Sequence, residues 1–209
     1  MKALSLIETL RFEPLAGFRN IERHRARMAS SAIALGLPFN ADGFDELLNA
    51  VPEEEGPRRV RIELHPTGRL TLTHAAFAPV PEGTVWSVRI AEGTRLSSSD
   101  PLLRHKTSRR SHYEAARAEY PLPAADEVLL LNERGEVCEG TITTLFLPDG
   151  QGGLLTPALD CGLLAGIERE CLLDGGKARE AILTPADLAA RDFFVGNSLR
   201  GLIAARLAS

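Results

Sequence analysis

The apolar residues of this chain come in short runs. Eighteen glycines and thirteen prolines are spread over 209 residues and cut the pattern into brief strands and helices of a few turns. No run approaches the roughly 18 continuous apolar residues that a membrane helix needs. Segments with a period of two alternate irregularly with segments of helical period. The order is neither a regular strand–helix–strand series nor a series of strands alone. That pattern predicts an α+β fold of two small domains, and 209 residues are enough to give each a core.

The spacing predicts a first strand over Ala3–Phe12 and a turn at Pro14–Gly17. A helix is expected from Asn20 to Leu35, with Asn20 as its N-cap, Ile21, Met28, Ala32 and Leu35 as its apolar stripe, and Gly36 as its stop. His24, Arg27 and Ser31 form a polar row on one shoulder of that stripe and could face a polar cavity. A short helix over Phe44–Val51 and a hairpin of Arg58–Leu64 with Leu70–Ala78 follow, then a strand over Val85–Ala91. The Ser-rich stretch after it reads as a linker. The expected boundaries are therefore 1–92 for a small N-terminal domain, 93–103 for the linker and 104–209 for a larger domain. In the second half the pattern predicts a helix over Ser111–Tyr120, strands at Glu127–Asn132, Glu136–Leu147 and Leu154–Thr156, and a helix after Gly166. Strands at Ala178–Leu183 and Asp192–Val195 come next, the latter ending at Gly196-Asn197-Ser198.

A net charge of −4 gives no bulk attraction for nucleic acid. The three cysteines, Cys138, Cys161 and Cys171, lack any metal or framework spacing, which suggests a reducing cytoplasm. The five histidines are scattered, so no protein-bound metal is expected. Met1–Phe12 carries Glu8 and Arg11 and does not read as a secretory signal. Of the 24 Lys and Arg residues only Lys2, Lys106 and Lys177 are lysines. Arg cannot act as a nucleophilic amine, because its guanidinium keeps its proton. Lys106 alone sits in the middle of a patterned segment.

Taken singly, the candidates are ambiguous. Arg104, His105, Lys106, Arg109 and Arg110 read equally as a basic surface patch or as cations that depress the pKa of an imine-forming amine. Glu139 lies in an apolar strand beside Gly140 and Thr141; it faces water or, in a cavity, a cationic partner such as a pyridinium nitrogen. Leu164-Ala165-Gly166-Ile167-Glu168 opens a helix whose N-terminus could hold an anion, and Gly196-Asn197-Ser198 is a second donor-rich turn. Either could be a plain loop. Arg27 reads as a solvated helix residue or as the charged member of a phosphate cup.

In order along the chain, six segments form a pattern: Ile7-Glu8-Thr9-Leu10-Arg11; Glu22 to Met28 (ERHRARM); His105-Lys106-Thr107-Ser108-Arg109-Arg110; Asn132 to Phe146 (NERGEVCEGTITTLF); Thr156 to Arg169 (TPALDCGLLAGIER); and Phe194 to Gly201 (FVGNSLRG). In this the chain resembles the class IV aminotransferases, the fold type IV pyridoxal 5'-phosphate enzymes. The resemblance covers almost the whole chain. It implies a small N-terminal α/β domain plus a larger C-terminal pseudo-barrel domain, with the cofactor between them. It implies Lys106 as the Schiff-base lysine, Glu139 as partner of the pyridine nitrogen, and Arg27, Gly166, Ile167, Asn197 and Ser198 as the phosphate cup. Thr9, Arg110 and Thr143 are the residues it assigns to substrate. It further implies a homodimer, a small-molecule substrate, and no nucleic-acid or membrane partner.

Within the family the likeness is greatest to the aminodeoxychorismate lyase branch, with a functional link to aminodeoxychorismate synthase. The implied reaction converts 4-amino-4-deoxychorismate to 4-aminobenzoate and pyruvate. A transaminase of branched-chain or D-amino acids uses the same residues, and a non-catalytic homologue serving as an assembly partner is the third reading. The chain departs from the family pattern at Thr144, where Asn is common before Leu-Phe, and at His65, where some transaminases have Arg-Gly. It also lacks the strand pair that free-standing members carry before the Glu-Thr strand.

Overall fold

A computed structural model describes residues 4–51 and 56–208. Lys2 and the Ala3 end of the first expected strand lie outside the described residues. The chain divides into two compact units. The first runs up to Pro79 and includes His105–Arg109; the second holds Val80–Arg104 and the chain from Arg110 onward. No helix among the described residues is long and apolar enough to cross a membrane.

The first unit is an antiparallel sheet with helices over one face. Its strands are β1 (Leu6–Glu13), β2 (Gly17–Phe18), β3 (Arg58–Leu64) and β4 (Leu70–Ala76), in the order β2-β1-β3-β4. Helices α1 (Ile21–Ala34) and α2 (Ala41–Leu48) belong to the same unit. The register pairs Leu6 with Leu64, Glu8 with Ile62 and Leu10 with Val60. These positions alternate with Ile7, Thr9 and Arg11, so one face of β1 and β3 is the core face. Leu6, Leu10, Val60, Ile62 and Leu64 bury there with Met28 and Ala32 of α1 and Phe44 of α2.

Both helices start differently from expectation. Asn20 adopts a left-handed conformation (φ 57°) and makes no side-chain cap, so α1 begins on backbone alone. Helix α2 begins at Ala41 because Asn40 takes the capping role, its Oδ1 accepting the Asp42 N–H at 3.1 Å. The β3–β4 hairpin turns at Gly68, whose φ of +84° suits glycine and whose missing Cβ would stand 3.0 Å from Pro38.

The second unit contains β5 (Val85–Leu96), α3 (Ser111–Glu119), β6 (Glu127–Asn132), β7 (Val137–Gly140), β8 (Thr144–Pro148), β9 (Leu154–Pro157), α4 (Ile167–Asp174), β10 (Ala178–Ala181), α5 (Pro185–Leu188), β11 (Phe193–Asn197) and β12 (Gly201–Leu207). Its eight strands follow the order β10-β9-β8-β11-β12-β5-β6-β7. Pairing is mixed: β12–β5, β5–β6 and β10–β9 are parallel and the remaining neighbours antiparallel. One buried cluster gathers Leu129, Leu145, Phe193 and Val195 with Val88 and Ile203. A second gathers Leu96, Val128, Leu130, Cys138 and Leu163.

Three features of this unit differ from the sequence reading. Strand β5 continues through Glu92 to Leu96, so residues 93–96 are sheet and not linker. Its register shifts between Ile90 and Arg95, and Glu119 of α3 satisfies the displaced backbone by accepting from the N–H groups of Glu92 (2.6 Å) and Gly93 (3.1 Å). The expected strand Glu136–Leu147 is broken at Thr141–Thr143 into β7 and β8. Finally, the Ala-rich stretch Gly201–Leu207 pairs with β11 and β5 as β12.

Arg169 shows how the unit is tied together. It is fully buried on α4, donates from Nε and Nη2 to the Pro157 carbonyl of β9 (3.3 and 2.9 Å), and pairs with Glu180 of β10. Arg169→Met removes those donors and leaves a buried carbonyl unsatisfied. It is expected to lower unfolding stability by roughly 1–3 kcal/mol, seen as a lower urea midpoint at unchanged slope.

Candidate functional site

In the first unit the chemistry gathers around β1. Residues 105–109 lie along its edge: the Ile7 N–H donates to the Lys106 carbonyl (2.8 Å), the Ser108 N–H donates to the Ser5 carbonyl (2.9 Å), and Leu6 and Thr107 form an antiparallel bridge. The Ser5 N–H also donates to Ser108 Oγ at 3.0 Å. This pattern sets Lys106 opposite Ile7. Cross-strand neighbours share a face, so Lys106 belongs with Ile7 and Thr9 and away from the core face. Arg61 is the direct partner of Thr9 on β3 and shares that face. Lys106 and Thr9 are both half-buried.

The core face holds a second cluster. Glu8 is 1% exposed, an expensive place for a carboxylate without partners. Arg27 answers it with two parallel bonds, Nε to Oε1 at 2.8 Å and Nη2 to Oε2 at 2.7 Å, and His24 Nδ1 lies 2.6 Å from Oε2. Burial alone would raise the Glu8 pKa; the Arg27 charge and the hydrogen bonds from His24 and Arg27 outweigh it and hold the carboxyl at about 2. Ser31, one turn along α1, contacts His105 (Oγ to Nδ1, 2.9 Å). Burial lowers the pKa of His105, which favours the neutral ring beside Lys106.

In the second unit Glu139 is 6% exposed on β7. Its Oε1 accepts from Tyr113 Oη (2.7 Å) and from the Leu164 N–H (3.2 Å). Burial, and then the Glu139 charge, push the Tyr113 pKa far above its ordinary value, so the phenol stays a neutral donor. Arg110 stacks over the Tyr113 ring at 4.6 Å and donates from Nη2 to the Thr141 carbonyl. The turn after Glu139 is built on Glu127, which is fully buried. Its carboxylate accepts from Arg117 Nη2 (2.9 Å), Thr143 Oγ1 (2.7 Å) and the N–H groups of Thr141 and Ile142 (both 3.1 Å), besides the Thr141 hydroxyl. Asn197 closes the other side: Nδ2 donates to the Ile142 carbonyl (3.0 Å), and Oδ1 accepts from the N–H groups of Leu199 (3.1 Å) and Arg200 (2.9 Å).

The residues singled out from sequence thus fall into two sets. Lys106, Thr9 and Arg27 are in the first unit, with Lys106 and Thr9 on one face of β1 and Arg27 bonded behind it. Arg110, Glu139, Thr143, Gly166, Ile167, Asn197 and Ser198 are in the second. The Thr143 hydroxyl and both side-chain atoms of Asn197 are engaged in shaping turns. Gly166 is the N-cap residue of α4, Ile167 its first residue, and no side chain caps that end. Sequence reading missed the pairing of Glu8 with Arg27, the Tyr113 bond to Glu139 and the place of Arg61. The usable signals were a carboxylate among the apolar residues of one face of β1, with Leu6 and Leu10 on either side, and an Arg–Tyr pair at i,i+3 opening α3.

Two outcomes follow. Glu8 is ionised in the folded state down to about pH 2 but only to about 4.5 when unfolded. Its contribution is therefore complete above about pH 4.5 and fades as pH falls toward 2. Against Glu8→Gln, the wild type is expected to be about 3 kcal/mol more stable at neutral pH, with the gap closing as denaturant titrations move below about pH 4. A methyl at position 140 would stand 2.4 Å from Thr143 Oγ1 and 2.7 Å from Glu127 Oε2. Gly140→Ala is expected to cost roughly 1–3 kcal/mol, read as a lowered Tm.

Known proteins resemble this chain over nearly all of its length. The family model Amino-transferase class IV matches residues 5–208. A protein of Thermotoga maritima named as a branched-chain-amino-acid aminotransferase is 32% identical over 182 residues, 84% of this chain and 64% of that protein's length. One of Schizosaccharomyces pombe named as an aminodeoxychorismate lyase is 29% identical over 160 residues, 75% of this chain and 68% of its own length. The chain therefore spans about two thirds of these relatives. A crystal structure from Mesorhizobium loti, named as an amino-acid aminotransferase, superposes with a TM-score of 0.94 at 48% identity, covering 98% of this chain and 100% of that one. A fold type IV architecture thus accounts for the mixed eight-stranded sheet and the small antiparallel sheet alike. The chain belongs to the class IV aminotransferase family, whose cofactor is pyridoxal 5'-phosphate.

Proposed function

We propose that this chain is a lyase that converts 4-amino-4-deoxychorismate to 4-aminobenzoate and pyruvate, with Lys106 carrying the cofactor. The observation that supports it is the outer face of β1, where a lysine, a hydroxyl and an arginine come together: Lys106 opposite Ile7, then Thr9, then Arg61 across from Thr9.

The residues fit the cofactor. Lys106 is an amine on a segment fixed by backbone bonds. Glu139 is a buried carboxylate with neutral donors on Oε1, suited to a protonated ring nitrogen. Gly166 opens α4 without a side chain; a Cβ there would come within 2.9 Å of Thr144 Oγ1 and crowd the helix end that a phosphate needs. When bound, the cofactor supplies an electron-withdrawing ring that stabilises charge at the carbon next to the substrate nitrogen.

This chain's residues do the rest. Arg27, the Gly166 and Ile167 backbone, Asn197 and Ser198 hold the phosphate. Glu139 keeps the ring nitrogen protonated, and Tyr113 keeps Glu139 in place. The Lys106 Nζ, once free, takes the proton from the substrate carbon as a positioned general base. Thr9 Oγ1 is the hydroxyl on that face that can pass a proton to the departing three-carbon fragment. Arg61 is the cation there for a substrate carboxylate. Arg110 and Thr143 complete the substrate set through the turn they brace. The reaction balances as an elimination that needs no amino acceptor. In this reading the protein works as a homodimer and takes its substrate from an aminodeoxychorismate synthase.

A second reading is supported by names: the 48% identical Mesorhizobium loti protein and the 32% identical Thermotoga maritima protein are both named as aminotransferases. Spectra separate the two. Protein loaded with pyridoxal phosphate is expected to show a visible band and to release pyruvate from 4-amino-4-deoxychorismate. A band without pyruvate, with conversion to the pyridoxamine form by branched-chain or D-amino acids, replaces the lyase with a transaminase. No band at all points to the non-catalytic homologue. Lys106→Ala is expected to abolish the borohydride-trapped cofactor adduct; an adduct retained on another residue overturns the role of Lys106.

A further inference from the structure

Glu8 takes no part in the reaction described above, yet among the described residues it is the most deeply placed carboxylate of the first unit, 1% exposed on the core face of β1. Its two oxygens meet one edge of the Arg27 guanidinium, Nε at 2.8 Å and Nη2 at 2.7 Å, with His24 Nδ1 on the far side of Oε2 at 2.6 Å. A single bond would let a guanidinium pivot; two parallel bonds fix its plane and its reach. The position of Glu8 is itself fixed by backbone, since β1 pairs with β3 from Leu6 to Phe12 and carries residues 105–109 on its other edge. Arg27, by contrast, has a long flexible stem and a side chain 11% exposed.

We propose that Glu8 is a positioning residue for anion recognition: by holding one edge of the Arg27 guanidinium, it aims that group at the phosphate of the cofactor. The inference rests on the reading of Arg27 as a phosphate ligand. Charge alone argues the opposite way. A carboxylate next to Arg27 weakens its attraction for a phosphate, so its removal would tighten binding if charge governed. Orientation governs if removal loosens it. Because the Glu8 carboxyl stays ionised to about pH 2, the clamp is present at every working pH.

The test compares equilibrium binding of pyridoxal phosphate with that of pyridoxal, which lacks the phosphate, on full-length Glu8→Gln, Glu8→Asp, Arg27→Met and the double variant Glu8→Gln/Arg27→Met. Arg27→Met is expected to weaken pyridoxal phosphate at least about tenfold while pyridoxal changes less than about threefold. Glu8→Gln and Glu8→Asp are expected to show the same selective loss of about tenfold, and the double variant no further loss than Arg27→Met alone. Glu8→Asp keeps the charge but shortens the fork, so it carries the test if Glu8→Gln does not fold. Unchanged or tighter pyridoxal phosphate binding in the Glu8 variants, with Arg27→Met still weakened, overturns the inference and leaves Arg27 as a ligand. Equal losses of both compounds in the Glu8 variants also overturn it, as a merely structural role. If Arg27→Met shows no selective loss, the reading of Arg27 falls first and the inference with it.

Discussion

The attachment of residues 105–109 to the edge of β1 is the contact on which the proposed role of Lys106 depends. An open strand edge presents unpaired N–H and C=O groups. Here the Ile7 N–H and the Ser5 carbonyl at that edge are taken by Lys106 and Ser108. One short segment therefore pairs with that edge at both places. Because the bonds are between backbones, they place Lys106 by register. The chain flanking this segment belongs to the second unit, so the segment is a return to the first sheet from a distant part of the sequence.

Three buried carboxylates show how the same desolvation problem is solved for different ends. Glu8 meets a cation in a two-point pair, and its charge is spent on holding that cation. Glu127 is surrounded by hydroxyls, N–H groups and one arginine, and it shapes the turn from Thr141 to Thr143. Glu139 receives hydrogen bonds from a phenol and a backbone N–H. Such donors steady an ionised carboxylate without cancelling its charge, which leaves it fit to face a cation. Burial of a carboxylate is thus not by itself a functional mark. The donors differ in kind: a cation for Glu8, a turn's own N–H and hydroxyl groups for Glu127, and a phenol with one backbone N–H for Glu139.

Much of the architecture was legible from alternation and punctuation. The β3–β4 hairpin, helix α1 and strand β6 follow from local pattern, because in each the period matches the burial it serves. What was not legible depended on distant partners. Strand β5 runs on through a Gly- and Thr-containing stretch because Glu119, from another element, satisfies its bulge. Strand β12 is Ala-rich and becomes a strand only because β11 and β5 flank it. Asn20 looked like a cap, yet the sequence cannot say that its backbone is left-handed. Among the candidate residues, Lys106 of the first unit and Glu139 of the second are marked by their neighbours in sequence. Glu8 and Arg27 are 19 positions apart on different elements, and only the fold makes them a pair.

The same alternation separates two sets of side chains on β1 and β3. On β1 and β3 the positions facing the helices are Leu6, Glu8, Leu10, Val60, Ile62 and Leu64. These fix register, core and, through Glu8, the arginine behind the strand. The positions between them, Ile7, Thr9, Arg61 and Glu63, share the face where Lys106 stands. A change of polarity at Thr9 or Arg61 therefore alters that face while leaving the core contacts alone. A one-residue slip in register would exchange the two sets, and the deep burial of Glu8 with its two basic partners makes that exchange costly. The first unit thus keeps its two sets of side chains apart: the face under the helices holds the opposite one in register.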